Sequence, residues 1–161
     1  MAGTVRVRLS ASSDAPRRPG RGELERLFRR AWAATPARLR PKIPRGLDRC
    51  VDLRWVDDAE IAGLHRRHFG KRETTDVVSF PMLDFDPESR SFLLGEIAVS
   101  VDTARRESAA RALPCEEELS RYALHGFLHL IGYRDATSRE RLEMTSHQER
   151  ILAAHRRRSR R

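Results

Sequence analysis

The sequence predicts an α+β (mixed α/β) protein in which one small mixed sheet is covered by helices. Early in the chain, segments with period-2 alternation of apolar and polar residues alternate with segments of helical period. Late in the chain, helical segments dominate. The resulting order, β-α-β-α-β-β-α-α-α, is typical of a single sheet with its covering helices. A chain of 161 residues is long enough to bury a core as one domain.

Two strands and two helices are predicted in the first part of the chain. Residues 4–9 alternate apolar and basic side chains, which indicates a half-exposed strand, and residues 23–34 place apolar side chains at helical spacing. Residues 50–56 form the second predicted strand. A second helix begins after the acidic cap Asp57 and stops at Gly70, because acids favour the first helical turn and glycine favours the end.

The middle of the chain predicts two further strands and a helix. A short β-branched run at residues 76–80 is closed by Pro81, and residues 94–101 alternate apolar and polar side chains. Asp102 or Thr103 can cap a helix that continues through residue 111, since both side chains accept hydrogen bonds from free backbone amides.

Two helices complete the chain. One begins at Pro114 and runs to about residue 131, and it is predicted to be central and buried because apolar residues surround it from Tyr122 onward. Ser138 is predicted to cap the last helix. Residues 1–154 are expected to form a single domain, and residues 155–161, which contain five arginines, a basic C-terminal tail.

The charge of the chain favours an anionic partner. The formal net charge is +9, of which about +4 remains without the tail. A basic tail of this kind contacts nucleic acid or keeps a protein soluble, and composition leaves both possibilities open. No secretory signal and no apolar run of the ~18 residues needed to cross a membrane are present, so a cytoplasmic protein without a membrane partner is expected.

The central helix carries a candidate metal site. His125 and His129 are four residues apart, so the two imidazoles lie about 40° apart on one helical face. Gly132 can end the helix in a left-handed conformation and return Asp135 towards the two rings. Three protein ligands with one open position are typical of a catalytic metal site, whereas two buried structural histidines are the alternative.

The same spacing is similar to the HExxHxxGxxH/D motif of zinc peptidases. This chain has Gly126 where those enzymes carry their general base, so peptidase chemistry is disfavoured.

Several blocks of the chain resemble the YbeY family of bacterial metal-dependent endoribonucleases. Residues 125–135 (HGFLHLIGYRD) are similar to the family signature HGxLHLxGYDH, residues 74–81 (TTDVVSFP) to PTDVLSFP, and residues 94–100 (LGEIAVS) to LGDIxIS. Met144 and residues 148–152 also match the family pattern downstream of these blocks. The resemblance implies a YbeY-like hydrolase fold with a small, mostly parallel four-stranded sheet and a bound metal ion, usually zinc. It also implies cleavage of single-stranded RNA in rRNA maturation, at the 3′ end of small-subunit rRNA, and a role in ribosome quality control.

Carried over by position, the resemblance implies three ligands, His125, His129 and Asp135. Both histidines and Lys71, which matches the family, are expected to be catalytic. Lys71 and Arg72 are candidates for RNA binding near the missing family arginine, with solvated loop charges as the alternative, and Arg121 is a further RNA-binding candidate. Asp135 stands where the family carries its third histidine. A carboxylate lowers the charge of a divalent site from +2 to +1, and it shifts the preference from zinc somewhat towards Mn²⁺ or Fe²⁺.

Six further positions depart from the family or leave alternatives open. His147 is the fallback ligand, with a surface histidine as the other interpretation. Phe69 and Arg134 replace a family arginine and aspartate, and Arg121 replaces a histidine; Arg121 either binds phosphate or pairs with Glu118 or its neighbour Glu117. Asp76 or Ser79 could position water or substrate, and each has a purely local structural role as the alternative.

Because of these replacements, three functions are considered. The first is a metal-dependent endoribonuclease. The second is a metal-stabilised, ribosome-associated factor with little catalysis. The third is a metallopeptidase-like hydrolase.

Overall fold

Four strands and five helices follow each other in the predicted order. The computed structural model describes residues 3–14, 17–71 and 74–159. Its elements are β1 (Val5–Ala11), α1 (Arg21–Ala34), β2 (Arg49–Val56), α2 (Asp58–Phe69), β3 (Val77–Asp86), β4 (Ser91–Ser100), α3 (Val101–Ala110), α4 (Cys115–Leu130) and α5 (Ser138–Ser159).

The four strands form one sheet in the order β1-β2-β4-β3. The β1–β2 and β2–β4 pairs are parallel, and the β3–β4 pair is antiparallel, which confirms the mostly parallel sheet. β3 runs to Asp86, whereas the sequence predicted that it closes at Pro81. Proline is tolerated there because β3 is an edge strand and its register with β4 shifts between Pro81 and Asp84.

The main core lies between the sheet and the layer of helices α1 and α4. The rings of Phe28 on α1 and Phe127 on α4 stack with centroids 4.3 Å apart. Gly126 lets α4 approach the sheet closely, since a Cβ at this position would lie 2.8 Å from the Ile97 side chain. The prediction of a central, buried α4 is therefore confirmed, and this helix presents its histidines from a rigid support.

The ends of α2 confirm the capping prediction. Asp57 accepts a hydrogen bond from the Glu60 amide (2.7 Å), and Gly70 follows the helix in the left-handed conformation. The helix packs through Ile61 into a second, smaller apolar cluster that includes Val78. Its C-terminal turn thereby lies beside the edge strand β3.

The predicted caps of α3 and α5 were wrong. Ser100 caps α3 through a 3.0 Å hydrogen bond from the Thr103 amide, because β4 passes directly into the helix. At α5, the Thr137 hydroxyl accepts from the Glu140 amide and the Glu140 carboxylate accepts from the Thr137 amide. This reciprocal capping box places the cap one residue before Ser138.

The last helix extends further than the apolar pattern predicts. α5 continues through Ser159, so residues 155–159 of the predicted tail are helical, and residues 160 and 161 lie outside the described residues. Within the described ranges, every helix is too short or too polar to span a membrane.

Candidate metal centre

Three side chains converge beyond the C-terminal half of α4. His125 and His129 extend from the helix, and Asp135 reaches them from the loop before α5. The two Nε2 atoms are 3.1 Å apart, and an Asp135 carboxylate oxygen lies 3.9 Å from the first and 3.4 Å from the second. Two ligand atoms bound to one tetrahedral zinc are separated by roughly 3.4 Å. The spacing of the three atoms therefore suits a single metal ion.

The hydrogen bonds of the two rings fix their tautomers. His125 Nδ1 lies 3.1 Å from the side-chain oxygen of Gln148, and His129 Nδ1 lies 3.1 Å from the backbone carbonyl of Tyr133. Carbonyl oxygens only accept hydrogen bonds, so both Nδ1 atoms carry the proton. With Nδ1 as the donor, each ring directs its Nε2 atom towards the other ring and the Asp135 carboxylate.

A bound cation would stabilise this arrangement of three electron-pair donors. Three electron-pair donors within 4.8 Å of one another repel unless a proton or a metal ion lies between them. Ligating histidines characteristically donate their other N–H to a carbonyl or carboxylate, as both rings do here. The donor set therefore fits a divalent metal ion with His125, His129 and Asp135 as ligands.

The turn after α4 brings the carboxylate to the histidines. Gly132 has φ = +113°, and a Cβ there would lie 2.1 Å from the carbonyl oxygen of Leu39. The Tyr133 amide donates to the Leu128 carbonyl and the Gly132 amide to the His129 carbonyl. This bond pair is a Schellman motif, which reverses the chain after the helix. The predicted role of Gly132 as the helix-ending residue is confirmed.

Burial prepares His125 for metal binding. Its pKa is lowered, first by desolvation in the protein and then by the neighbouring His129, against opposing contributions from Gln148 and nearby carboxylates. The lowered pKa favours the neutral ring, from which a metal ion would not have to displace a proton.

An open pocket of about 470 Å³ adjoins the first histidine. It is lined by ten residues, namely Thr74, Thr75, Asp76, Thr103, Glu107, Arg111, Arg121, Tyr122, His125 and Gln148. This pocket connects the metal centre to solvent and to the strand-entry segment before β3.

Arg121 lies at this pocket with its charge compensated. Its guanidinium is 3.5 Å from the fully buried carboxylate of Glu118 and also contacts Glu149. The expected salt bridge with Glu118 is therefore confirmed. Arg111 approaches the same buried carboxylate at 3.4 Å. Phosphate binding by Arg121 stays a prediction, and it would have to compete with these two carboxylates.

The other residues predicted for RNA binding or catalysis do not line this pocket or lie outside the described ranges. Lys71 is exposed in the loop after α2 and is not among the residues that line the pocket. Arg72 lies outside the described residues. Phe69 is 52% exposed, with its ring 6.0 Å from that of Phe80 and on the last turn of α2. The roles of Lys71 and Arg72 remain predictions.

Asp76 is the predicted substrate-positioning residue that the structure places in the pocket. Its carboxylate accepts a hydrogen bond from the Val77 amide (2.9 Å), so it also has the local role considered as the alternative. Ser79, three residues after Asp76, is half-buried on β3.

His147 does not belong to the metal centre. It is 5% exposed, stacks on Tyr133 with ring centroids 4.9 Å apart, and lies 3.4 Å from the Thr35 hydroxyl. The interpretation as a surface histidine was wrong, because α5 turns this face towards the loop after α1. Among the described residues, His125, His129 and Asp135 are the group of potential ligands that come together.

Sequence reasoning missed Gln148 as a functional residue. On α5 it shares one helical face with the buried Met144, Ile151 and Leu152, at spacings of three and four residues. A polar residue on an apolar stripe needs a hydrogen-bond partner, and this signal was available in the sequence. The second acceptor, the Tyr133 carbonyl, is backbone and leaves no signature in residue type.

The fold and the site together define a small α+β protein in which two histidines and one carboxylate that could hold a metal ion lie beside an open pocket. A family model described as Endoribonuclease YbeY matches residues 20–156. The protein named Endoribonuclease YbeY from Exiguobacterium sp. is 36% identical over 110 residues, covering 63% of this chain and 70% of the relative. The protein of that name from Anaeromyxobacter sp. is 39% identical over 130 residues, covering 81% of this chain and 60% of the relative. The chain belongs to the YbeY endoribonuclease family.

A solved structure has the same fold. The solution structure of TM1509 from Thermotoga maritima superposes with a TM-score of 0.57 at 24% identity, covering 97% of this chain and 91% of the other. The YbeY-like α+β fold predicted from sequence is confirmed.

Proposed function

We propose that this protein is a metal-dependent endoribonuclease that cleaves single-stranded RNA in rRNA maturation, at the 3′ end of small-subunit rRNA, and in ribosome quality control. The proposed setting is the cytoplasm, with rRNA and the small ribosomal subunit as partners. The observation that carries the proposal is the convergence of two imidazole Nε2 atoms and one carboxylate. Membership of a family named for endoribonuclease activity supports RNA as the substrate.

The residues of the centre have distinct roles in this proposal. A metal ion held by His125, His129 and Asp135 would supply Lewis-acid polarisation of a phosphate oxygen and a water of lowered pKa. Gln148 and the Tyr133 carbonyl hold the two rings in the ligating tautomer.

The pocket beside His125 provides a place for the RNA strand. Its opening suits unpaired nucleotides, whose bases and backbone are accessible, better than a rigid duplex. The Asp76 carboxylate lies in the same pocket and opposes the lowering of the His125 pKa, so it is the acid best placed to orient a water molecule.

Zinc is the proposed metal, with Mn²⁺ or Fe²⁺ as alternatives because of the carboxylate ligand. Two histidines and one carboxylate bind zinc in catalytic sites, and the same ligand types bind Fe²⁺ in others.

The test combines metal analysis with an RNA cleavage assay. The wild-type protein, Asp135→Ala and the control Asp84→Ala, which removes an exposed carboxylate from β3, are purified identically. We expect one metal ion per chain and chelator-sensitive cleavage of single-stranded rRNA fragments in the wild type and the control. Both properties are expected to be lost in Asp135→Ala. Full metal retention in Asp135→Ala would remove the ligand assignment.

A second candidate function is a ribosome-associated factor in which the metal stabilises the fold. Two observations favour it: Phe69 supplies no charge where the family carries arginine, and Arg121 is already paired with two carboxylates. One metal ion per chain without cleavage above background, together with lower stability after chelation, would support this factor over the nuclease.

The structure argues against the metallopeptidase-like alternative. A side chain at position 126 would point into the sheet, 2.8 Å from Ile97 and 3.0 Å from Val77. A glutamate there could not reach the metal centre, so replacing Gly126 by glutamate would not supply the missing general base.

A further inference from the structure

A second cationic feature lies outside the metal centre, in the groove between α1 and the C-terminal turns of α5. The groove is open, encloses about 1160 Å³, and is lined by Arg26, Arg29, Arg30, Ala33, Ala34, His155 and Arg158. None of these lining residues is acidic. The groove therefore combines strong positive charge with room for a ligand.

Helical spacing produces the shape of the groove. Arg26, Arg29 and Arg30 are three and four residues apart, so they lie on one face of α1. The exposed Ala33 and Ala34 continue this face one turn later, and their small side chains leave the floor open. Arg158 supplies the opposite wall from α5. Two helices distant in sequence thus direct four guanidinium groups towards one space.

These guanidinium groups are not neutralised within the part of the chain that is described. No ion pair joins Arg26, Arg29, Arg30 or Arg158 to a carboxylate there, whereas Arg121 and Arg156 each pair with a glutamate on the neighbouring helix. The Nε of Arg30 is buried without a hydrogen-bond partner. The adjacent acid, Glu23, lies 3.7 Å from His155. Four clustered positive charges and an unsatisfied buried donor destabilise the free protein and favour binding of a polyvalent anion.

We propose that this groove binds the phosphodiester backbone of RNA at a site separate from the metal centre. The choice of RNA among polyanions rests on the proposed function. Gln148 at the metal centre and Arg158 in the groove are ten residues apart on α5, which corresponds to about 15 Å along the helix. A single strand of RNA can span this distance, and because Gln148 and Arg158 point about 80° apart around the helix axis, the strand would pass partly around α5 to reach the groove. Guanidinium groups suit this role because they form paired hydrogen bonds with phosphate oxygens.

The experiment measures binding of a labelled single-stranded RNA to the full chain at several salt concentrations, in chelator so that cleavage does not interfere. The groove variant is R26Q/R29Q/R158Q, and the matched control R45Q/R66Q/R67Q removes the same charge from exposed arginines elsewhere. Glutamine is a good helix former, so both variants are expected to keep the wild-type circular dichroism spectrum and melting temperature.

The slope of log affinity against log salt is negative, and we expect it to become less steep by about 2 in the groove variant, since each of the three lost phosphate contacts on a single strand contributes roughly 0.7. The control slope should stay at the wild-type value. Three results would refute RNA binding in the groove. They are equal slopes in all three proteins, an equal loss of slope in both variants, and no RNA binding by the wild type. Cleavage is then assayed with metal present. Cleavage with unchanged slopes would refute RNA binding in the groove and support the nuclease function. A less steep slope in the groove variant without cleavage would support the groove and refute the nuclease function.

Discussion

Replacement of Gln148 by leucine is expected to weaken metal binding without unfolding the protein. The Gln148 side chain is 7% exposed, and its oxygen accepts the Nδ1 proton of His125 at 3.1 Å. Leucine has a similar volume but no acceptor, so the His125 N–H loses its partner and the ring can move its proton to Nε2. Loss of such an outer hydrogen bond typically reduces metal affinity 10- to 100-fold, or about 1.4 to 2.7 kcal/mol.

The measurement is competition for the metal against a chromophoric chelator at fixed pH. The control Gln148→Glu keeps an acceptor at the same place, so its affinity should equal or exceed that of the wild type. His129 provides an internal reference because its acceptor, the Tyr133 carbonyl, survives every side-chain substitution. Wild-type affinity in Gln148→Leu, or an equal loss in Gln148→Glu, would refute the reasoning that this amide fixes the ligating tautomer.

Four further predictions follow from individual positions. Asp135→His should raise the site charge by one and increase the preference for zinc over Mn²⁺ in a metal competition assay, since imidazole is the softer ligand. Burial lowers the pKa of His147, so the unfolded chain binds more protons. Stability of the metal-free protein should therefore fall below about pH 6.5, and His147→Phe should flatten this fall in melting temperature. Gly132→Ala should cost more than about 3 kcal/mol, against about 1 kcal/mol for Gly70→Ala, because only the first combines positive φ with a 2.1 Å backbone clash; chemical denaturation compares them. Phe69→Arg should leave stability within about 0.5 kcal/mol because the position is 52% exposed, and a raised cleavage rate would identify this position as part of the substrate site.

Features encoded by neighbouring residues could be predicted from the sequence. The cap at Asp57, the stop at Gly70 and the return of the chain at Gly132 all depend on contacts within about one helical turn. The same is true of the histidine pair, whose spacing fixes its geometry once the segment is helical. Local signals therefore defined the ligand set and the elements that present it.

Features that depend on long-range contacts could not be predicted in this way. β3 passes beyond Pro81 because its position at the sheet edge tolerates proline, and edge position is a property of the whole sheet. The burial of His147 requires the loop after α1, which is more than a hundred residues away. The groove combines Arg26 on α1 with Arg158 on α5, and neither helix alone indicates that the two faces meet.

In this chain, the contacts that hold the candidate metal ligands do not involve the residues expected to interact with the charge of the substrate. The ligands and their outer hydrogen bonds are held by α4, α5 and the Gly132 turn, and none of these contacts involves Phe69 or Arg121. The charge of Arg121 is meanwhile offset by Glu118 and Glu149, so this arginine stabilises the α4–α5 packing whether or not RNA is bound. A bound metal ion is therefore expected even if catalysis is slow, and metal content alone cannot distinguish the nuclease from the ribosome-associated factor. The cleavage rate of Phe69→Arg relative to the wild type bears directly on that distinction, because it restores a cation while leaving the ligand set unchanged.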